Sequence, residues 1–504
     1  MLVLTIGIFS CTDLEEEPFG VLAPEGFFTS AREVETAVLG TYANIASEPF
    51  YGRQLVLALQ LRSDMCDIGD RNTPGERQQM NDFNVDANNT MVTAMWPRAY
   101  LIIGSANAAI AGAELVGEPA DEINALIAEA RFVRAFVYYH LVRLFGDIPY
   151  IDFFIDNPET IQDISRTSAS EVYEHIIADL EFSKESLPDN HDGGIRTRPT
   201  KGTAAAYLAS VHLTLENWQE AYEEAKWVID NKGQFGYDLM EDFQDLYDAS
   251  MADGLAEHIF AVDFLSNVSG SGLQNQDWMG PITGIRGYVD ENLEPKEGWS
   301  VSVPAFSVYE TWDARDYRRK VSFIDSAFVD GVWSGYEKFA PNHNSSRPHI
   351  AKFFLKCGDH RGDCAISDNN YVAMRYAEVL LIAAEALAEM NGGSNAEAEG
   401  YINEVRARAR NWAGTQTDFP ADVQTGLSKS EFIDLVLEER RLELAFEFKR
   451  WYDIKRRQLS DEVFKGPNAL EPHDNFDATR DYLLPIPQDE IDRNENLRPQ
   501  NNGY

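Results

Sequence analysis

Cysteine is scarce in this chain of 504 residues, which contains four. A small secreted domain held together by disulfides carries far more, so this fold must depend on a hydrophobic core. We expect Cys66 to be unpaired and Cys11 to have a chemical role of its own. Cys357 and Cys364 lie close enough in sequence to form a disulfide across a loop. Together with His360 they would supply only three metal ligands, so we favour the disulfide over a metal site.

Long hydrophobic stretches and domain linkers are also missing. After Cys11 no apolar run approaches the ~18 residues that a membrane-spanning helix needs. The length would ordinarily suggest ~3 domains, yet no segment rich in proline, serine and glycine divides the chain. We therefore predict one compact unit without a transmembrane helix.

Positively charged residues are much fewer than negatively charged ones. The chain has 43 lysine and arginine residues against 83 aspartate and glutamate residues, which gives a formal net charge of −40. Such a surface repels polyanions, and this excludes nucleic acid and anionic membrane surfaces as partners. The charge balance favours a neutral ligand.

Motifs of several enzyme classes are absent as well. The sequence has no Gly-x-Ser-x-Gly, no His-Glu-x-x-His and no glycine-rich phosphate loop with lysine. A glycosidase needs two carboxyl groups ~5 to 9.5 Å apart, but among 83 acidic residues some pair reaches that spacing by chance. We predict a protein that is not an enzyme and that uses no metal or other cofactor.

What the sequence does contain begins with a short apolar leader. Residues 2–10 are almost all apolar, Cys11 follows, and Asp13 and three glutamates come next. This order is typical of a bacterial lipoprotein, in which the leader is removed and the cysteine is acylated. We predict a signal peptide over residues 1–10, lipidation of Cys11 and attachment to the membrane through that lipid alone. The alternative is an ordinary buried strand at the N-terminus.

Two predicted helical hairpins indicate the fold. Apolar periodicity and turn residues predict helices over 204–215, 218–229, 371–390 and 396–410. Ala209 and Ala221 in the first hairpin are twelve residues apart, and so are Ala384 and Ala396 in the second. Small residues at this interval let the paired helices of a tetratricopeptide repeat approach closely. We therefore predict a mostly α fold with an α-solenoid-like core of tetratricopeptide-like helix pairs.

A further helix is predicted to begin at Ser428, where Glu431 completes a capping box. Its charges are dense and include Glu438, Arg440 and Arg441. We expect these side chains to pair with neighbouring helices or loops, and so to support the fold rather than bind a ligand. Residues 231–370, by contrast, lack sustained periodicity, which predicts a large irregular region rich in loops.

Several segments together resemble the SusD/RagB family, the surface glycan-binding lipoproteins of Bacteroidota. The segments that carry the resemblance are 131–139 (RFVRAFVYY), 144–150 (LFGDIPY), 375–381 (RYAEVLL), 439–444 (ERRLEL), 450–456 (RWYDIKR) and 484–487 (LPIP). The C-terminal Gln-Asn-Asn-Gly-Tyr resembles the family's Gln-Asn-Pro-Gly-Tyr, with Asn502 in place of proline. Phe448 stands where the family generally has glycine. These motifs belong to the scaffold in the family, so they identify the fold and leave the ligand open.

The resemblance implies a non-catalytic lid on a SusC-like TonB-dependent transporter, lipid-anchored at the outer membrane and exposed at the cell surface. It implies four tetratricopeptide-like helix pairs that support a variable face. We divide the single unit into an N-terminal helical part over 11–230, an irregular ligand face over 231–370 and a C-terminal helical part over 371–504. The expected ligand is a glycan. A peptide is the alternative that the RagB side of the family suggests, and a structural scaffold without a ligand is a third.

Recognition of a neutral sugar needs flat aromatic faces and polar groups that fix its hydroxyls. The aromatic candidates lie in polar, glycine-rich parts of the irregular region and are Trp278, Tyr288, Trp299 and Trp333. The polar candidates are Asp67, Arg71 and Asn72, in a loop where members of the family often contact ligand. The alternatives are core packing beneath a loop for the aromatic residues and ordinary turn formation for the polar ones.

Overall fold

The computed structural model describes residues 27–117, 119–161, 163–265, 277–288, 298–329, 331–343, 345–356 and 367–504. Cys11, the leader and the pair Cys357 and Cys364 lie outside these residues, so their modifications stay predictions. Cys66 is buried and unpaired, as expected.

Helices make up most of the described chain. In chain order they are α1 Ala31–Ile45, α2 Gln54–Leu61, α3 Gly75–Asn81, α4 Thr90–Glu114, α5 Ala120–Phe145, α6 Ala169–Ser186, α7 Lys201–Thr214, α8 Trp218–Asp230, α9 Lys232–Phe235, α10 Met279–Thr283, α11 Phe306–Thr311, α12 Tyr317–Ser322, α13 Tyr376–Asn391, α14 Ala396–Ala409, α15 Lys429–Glu443, α16 Arg450–Arg456, α17 Ser460–Lys465 and α18 Gln488–Arg493. Within the described residues, none of the helices is both long and apolar enough to cross a membrane.

The long helices form a continuous stack. Helix α1 packs on α4, α4 on α5, α5 on α6, α6 on α7, α7 on α8 and α8 on α13, which also contacts α14 and α15. One hydrophobic core runs through these interfaces. The stack passes from α8 directly to α13, so the irregular region is an insertion between two consecutive helices of the stack. The predicted mostly α, solenoid-like fold is confirmed.

The hairpin of α7 and α8 shows why the sequence forms these pairs. Thr200 caps α7 in a reciprocal capping box with Thr203. Glu216 adopts a left-handed conformation, with φ of 60°, in the turn before α8. Ala209 and Ala221 are completely buried, so the small side chains lie inside the hairpin as predicted.

The second hairpin differs from the prediction in two details. Residues Tyr371–Arg375 form a strand rather than the first turn of a helix, because they pair with the strand His258–Val262. The hydrogen bonds of that pairing outweigh the helical periodicity of the segment. Ala396 is exposed, and Ala398 is the small residue that is buried in α14.

The described residues form five antiparallel sheets of two strands each, and four of these sheets include strands of the irregular region. The strands are β1 Cys66–Ile68, β2 His258–Val262, β3 Ser302–Pro304, β4 Phe323–Ile324, β5 Ser326–Val329, β6 Val332–Gly335, β7 His349–Ile350, β8 Tyr371–Arg375, β9 Asn411–Trp412 and β10 Thr415–Gln416. The pairs are β1 with β3, β2 with β8, β4 with β7, β5 with β6 and β9 with β10.

A buried ion-pair cluster joins the irregular region to the helical stack. Helix α15 begins with the predicted capping box of Ser428 and Glu431, and it ends at Glu443. The Glu443 carboxylate is fully buried and forms ion pairs with Arg318, Arg375 and Arg408. Because these arginines come from three different elements, the cluster fixes α12, β8 and α14 around the end of α15.

Two of the predicted charged residues on α15 have different partners. Arg440 pairs with Asp453, 2.9 Å away, and with Glu378, 3.4 Å away, both in other helices. Arg441 pairs with Glu438 of its own helix, whose side chain is half exposed. Arg440 therefore connects helices as expected, whereas the pair of Arg441 is local.

Candidate functional site

Two of the predicted aromatic residues lie side by side. The ring centroids of Trp278 and Trp299 are 5.5 Å apart and the ring planes make an angle of 39°. Both side chains are half-buried and rest on the main hydrophobic core. A pair of adjacent, partly exposed indole rings is large enough to support more than one sugar ring.

Backbone contacts hold the two tryptophans in place. The Trp278 N–H donates to the Gly52 oxygen over 3.1 Å, and the Trp299 N–H donates to the Pro281 oxygen over 2.6 Å. Gly298 passes so close to Gly284 that a Cβ on Gly298 would lie 1.9 Å from the Gly284 carbonyl carbon. The close crossing of these two backbones requires glycine, and it brings Trp299 beside Trp278.

Asp277 fixes the start of α10. Its carboxylate accepts hydrogen bonds from the Met279 N–H and from the hydroxyls of Ser367 and Tyr371. Burial raises the pKa of Asp277 to about 6, even though these hydrogen bonds oppose the rise. Asp277 thus fixes the orientation of the segment that carries Trp278.

One arginine lies over the Trp278 ring. The Arg53 guanidinium is 5.3 Å from the centroid of that ring and forms an ion pair with Glu48. Burial and the nearby charge of Arg53 lower the pKa of Arg77 to about 10. The Trp278 Nε1–H is buried and has no hydrogen-bond partner within the described chain. Arg53 therefore adds a cation to the aromatic surface.

The predicted polar loop reaches the same face through β1 and β3. Beyond the pairing of these strands, the Asp70 N–H donates to the Ser300 oxygen over 2.7 Å, next to Trp299. The Asp70 carboxylate accepts from Arg286 over 3.0 Å, and Arg286 also donates to the Trp299 oxygen over 3.3 Å. Asn72 is exposed, and its N–H donates to Asp70. The structure thus brings Asn72 and Trp299 to one face.

Asp67 and Arg71 form an ion pair on this loop. The Asp67 carboxylate is buried between Arg71, 3.0 Å away, and Arg347, 2.9 Å away. Arg71 is exposed and also pairs with Asp82 over 3.2 Å. Asp67 is therefore placed to orient arginines rather than to reach a ligand itself, whereas Arg71 is accessible.

The other two aromatic candidates lie on or beside the hairpin of β5 and β6. Trp333 is 62% exposed, and its ring packs edge-on against Phe328 with 5.0 Å between centroids. Tyr288 forms a bridge with Val329 and packs against Phe354 in a smaller core. The structure therefore separates the four aromatic candidates into the tryptophan pair, an exposed ring and a half-buried one.

Sequence reasoning missed the arginines at this face. They come from separate parts of the chain and are Arg53, Arg286 and Arg347. The one local signal was the position of Arg286 between Gly284 and Gly287 in the aromatic, irregular region. Within the described residues, no cluster of three or more histidine, cysteine, aspartate or glutamate side chains is arranged to hold a metal ion.

Comparison with known proteins yields consistent matches. Residues 306–504 match the model of the SusD family, and residues 36–213 match a model described as starch-binding associating with outer membrane. SusD-like protein P2 of Formosa agariphila is 50% identical to the chain over 506 residues, which cover 100% of this chain and 98% of that protein.

Solved structures share the fold. A SusD homologue from Bacteroides thetaiotaomicron VPI-5482 superposes with a TM-score of 0.82 at 22% identity, covering 95% of this chain and 98% of that one. Surface glycan-binding protein A from Bacteroides thetaiotaomicron, in complex with laminarihexaose, has a TM-score of 0.76 at 21% identity, covering 94% and 100%.

Proposed function

Because the chain belongs to the SusD/RagB family, we propose that it is a surface lipoprotein that captures a glycan and delivers it to a SusC-like TonB-dependent transporter. The observation that carries the proposal is the adjacent pair of half-exposed rings of Trp278 and Trp299. The apolar face of a pyranose stacks on such rings, and nearby polar groups fix its hydroxyls. A structural neighbour with laminarihexaose bound supports the same class of ligand.

The proposed anchor is the lipid on Cys11. The family description that associates matching proteins with the outer membrane supports this location. If the lipid tethers the protein beside the transporter, the captured glycan is held at a high local concentration near the transporter, without any additional contact to the glycan. Exposure at the cell surface and transfer to a SusC-like partner are parts of the same proposal.

We propose capture without catalysis at this site. Among the described residues, Glu48 and Asp70 are each held in an ion pair with an arginine that contacts Trp278 or Trp299. Asp277 has a raised pKa, but its side chain is completely buried and its carboxylate is fully engaged by hydrogen bonds. A glycosidase needs one accessible protonated acid beside one carboxylate, and Glu48, Asp70 and Asp277 do not form such a pair.

An affinity-gel screen tests the proposal. The full-length protein is run through gels that contain single polysaccharides, and a peptide library is tested in parallel for the alternative of peptide capture. We expect at least one polysaccharide to retard the protein, and we expect the Trp278→Ala, Trp299→Ala double variant to lose the retardation. Binding of peptides with no retardation by any polysaccharide would contradict glycan capture.

A further inference from the structure

Beside the tryptophan pair, the carboxylates of Asp67 and Asp70 are more deeply buried than the arginines that pair with them. The side chains of Asp67 and Asp70 are 9% and 5% exposed. Their arginine partners reach further into solvent, since the side chains of Arg71, Arg286 and Arg347 are 45%, 31% and 22% exposed. In these pairs the guanidinium groups therefore lie nearer to solvent than the carboxylates of Asp67 and Asp70, although Asp82, which also pairs with Arg71, is itself 40% exposed.

These guanidinium groups are only partly used. Arg347 contacts Asp67 through Nη1, and Arg286 contacts Asp70 and Trp299 through Nη2. The Nε–H of Arg286 is buried and has no acceptor among the described residues. Each guanidinium has five N–H donors in a fixed fork, so within the described residues the partly exposed side chains of Arg286 and Arg347 keep N–H donors for a further acceptor.

Arg77 is a further arginine with few partners, and the charge of Arg53 acts on it. It is buried, and its one hydrogen bond from the guanidinium within the described chain goes to the Thr73 hydroxyl, 3.1 Å away. No carboxylate of the described residues forms an ion pair with it, although the charges of Glu76 and Glu48 oppose that of Arg53. Buried charges are normally paired, because an unpaired charge away from water is costly.

We propose that this face binds a glycan with an acidic substituent, a carboxylate or a sulfate ester, whose oxygens accept hydrogen bonds from the arginines while a sugar ring stacks on the tryptophan pair. This inference rests on the proposed glycan capture and narrows its ligand class. Oxyanions fit the geometry because they accept two parallel N–H bonds from one guanidinium.

The net charge of −40 predicted a neutral ligand, and an acidic ligand departs from that prediction. Charges further away than about 8 Å are largely screened at physiological ionic strength. The distant acidic side chains therefore repel an anion weakly, whereas the arginines and the carboxylates paired with them act on it at close range. The neutral-ligand prediction follows from the average composition and stays the alternative that the following test decides.

The test compares three classes of glycan on the full-length protein. Affinity gels contain neutral polysaccharides such as laminarin, polyuronates such as polygalacturonate, or sulfated galactans such as carrageenan. Calorimetry with the glycan that binds then follows the affinity from about 20 mM to about 500 mM NaCl. Polyuronates and sulfated galactans distinguish the two sources of the oxyanion.

We expect an acidic glycan to bind, with an affinity that falls as salt rises. Arg286→Gln and Arg347→Gln should each weaken that binding about tenfold, because each removes charged hydrogen-bond donors. Arg315→Gln is the matched control, since Arg315 is 69% exposed and pairs with Asp313 instead of the site's carboxylates. Melting temperatures of all variants separate lost binding from lost folding.

The outcomes separate this inference from the proposed function. If only neutral glycans bind, independently of salt and of Arg286→Gln, glycan capture stands and the acidic ligand is refuted. If no glycan of any class binds, both are refuted. Binding of acidic peptides with no binding of any glycan would also refute both.

Discussion

The indole rings of Trp278 and Trp299 have centroids 5.5 Å apart, although the two residues are 21 positions apart in the chain. The segment that carries Trp299 bonds directly to the segment that follows Trp278, through the Trp299 N–H and the Pro281 oxygen. The crossing of Gly284 and Gly298 and the backbone bond from Trp278 to Gly52 set the pair. Two rings fixed by the fold form a preorganised surface, and such a surface binds with little loss of conformational entropy.

Alanine variants of the pair should lose binding and keep the fold. We expect Trp278→Ala and Trp299→Ala each to weaken glycan binding by about 2 kcal/mol, the level at which an interface residue counts as a hot spot. Because the rings are in contact, the double variant should lose less than the sum of the two. Calorimetry with the glycan from the screen measures all three losses. Trp412→Ala is the control, since that half-buried ring packs on Tyr317 elsewhere.

Trp333 should behave differently from the pair. It is exposed on a hairpin and contacts Phe328, so its removal should change the melting temperature little. We expect Trp333→Ala to leave the binding of short oligosaccharides unchanged and to weaken the binding of long polysaccharides, which can reach a second ring. Equal weakening for a disaccharide would place Trp333 in the primary site instead.

Removal of Glu443 should destabilise the fold without touching the ligand face. Glu443→Gln leaves the buried Arg318, Arg375 and Arg408 without their shared carboxylate. We expect a loss of about 3 kcal/mol in the free energy of unfolding, measured from urea midpoints. Glu438→Gln is the matched control, since Glu438 is half exposed and its pair with Arg441 should contribute less than about 1 kcal/mol. A Glu443→Gln protein of normal stability that no longer binds glycan would show that the cluster belongs to the site.

Stability should fall in acid because of buried carboxylates with depressed pKa values. Despite the opposing effect of burial, the arginines lower the pKa of Glu443 and of Asp453 to about 2, and Arg375 and Lys352 hold that of Glu447 well below its usual value. In the unfolded chain these groups titrate at about 4. Their contribution is therefore complete above about pH 4 and is lost progressively as the pH falls toward 2. Urea midpoints at pH 6, 4 and 3 check this, and a midpoint that stays constant would contradict it.

Anchoring depends on Cys11 in this account. A Cys11→Ala protein should fold and remain in the periplasmic fraction, because within the described residues no helix can span a membrane. Membrane fractionation of cells that lack the transporter gives the result. A Cys11→Ala protein that stays in the outer membrane of those cells would contradict the lipid anchor.

The sequence was sufficient for the parts of the fold that local pattern determines. The capping box at Ser428 and the alanines of the hairpin at Ala209 and Ala221 act through near neighbours, so periodicity revealed them. The strand at Tyr371–Arg375 was missed because its partner, His258–Val262, lies more than a hundred residues away. The sequence of either segment alone does not show that it pairs with a distant strand.

The sequence predicted the aromatic residues of the site but not its arginines. Trp278 and Trp299 were recognisable by their glycine-rich, polar surroundings. Arg53 and Arg347 join them only through the folded chain. The negative net charge also gave no indication of arginines at the site, because a net charge sums over the whole surface and does not show where the positive side chains gather.

The most direct test is a crystal structure of the protein with the oligosaccharide that the screen identifies. The account predicts a sugar ring stacked within about 4 Å of the Trp278 and Trp299 rings, with an acidic substituent directed at Arg286. An oligosaccharide bound elsewhere on the chain, with both indole rings uncovered, would contradict it.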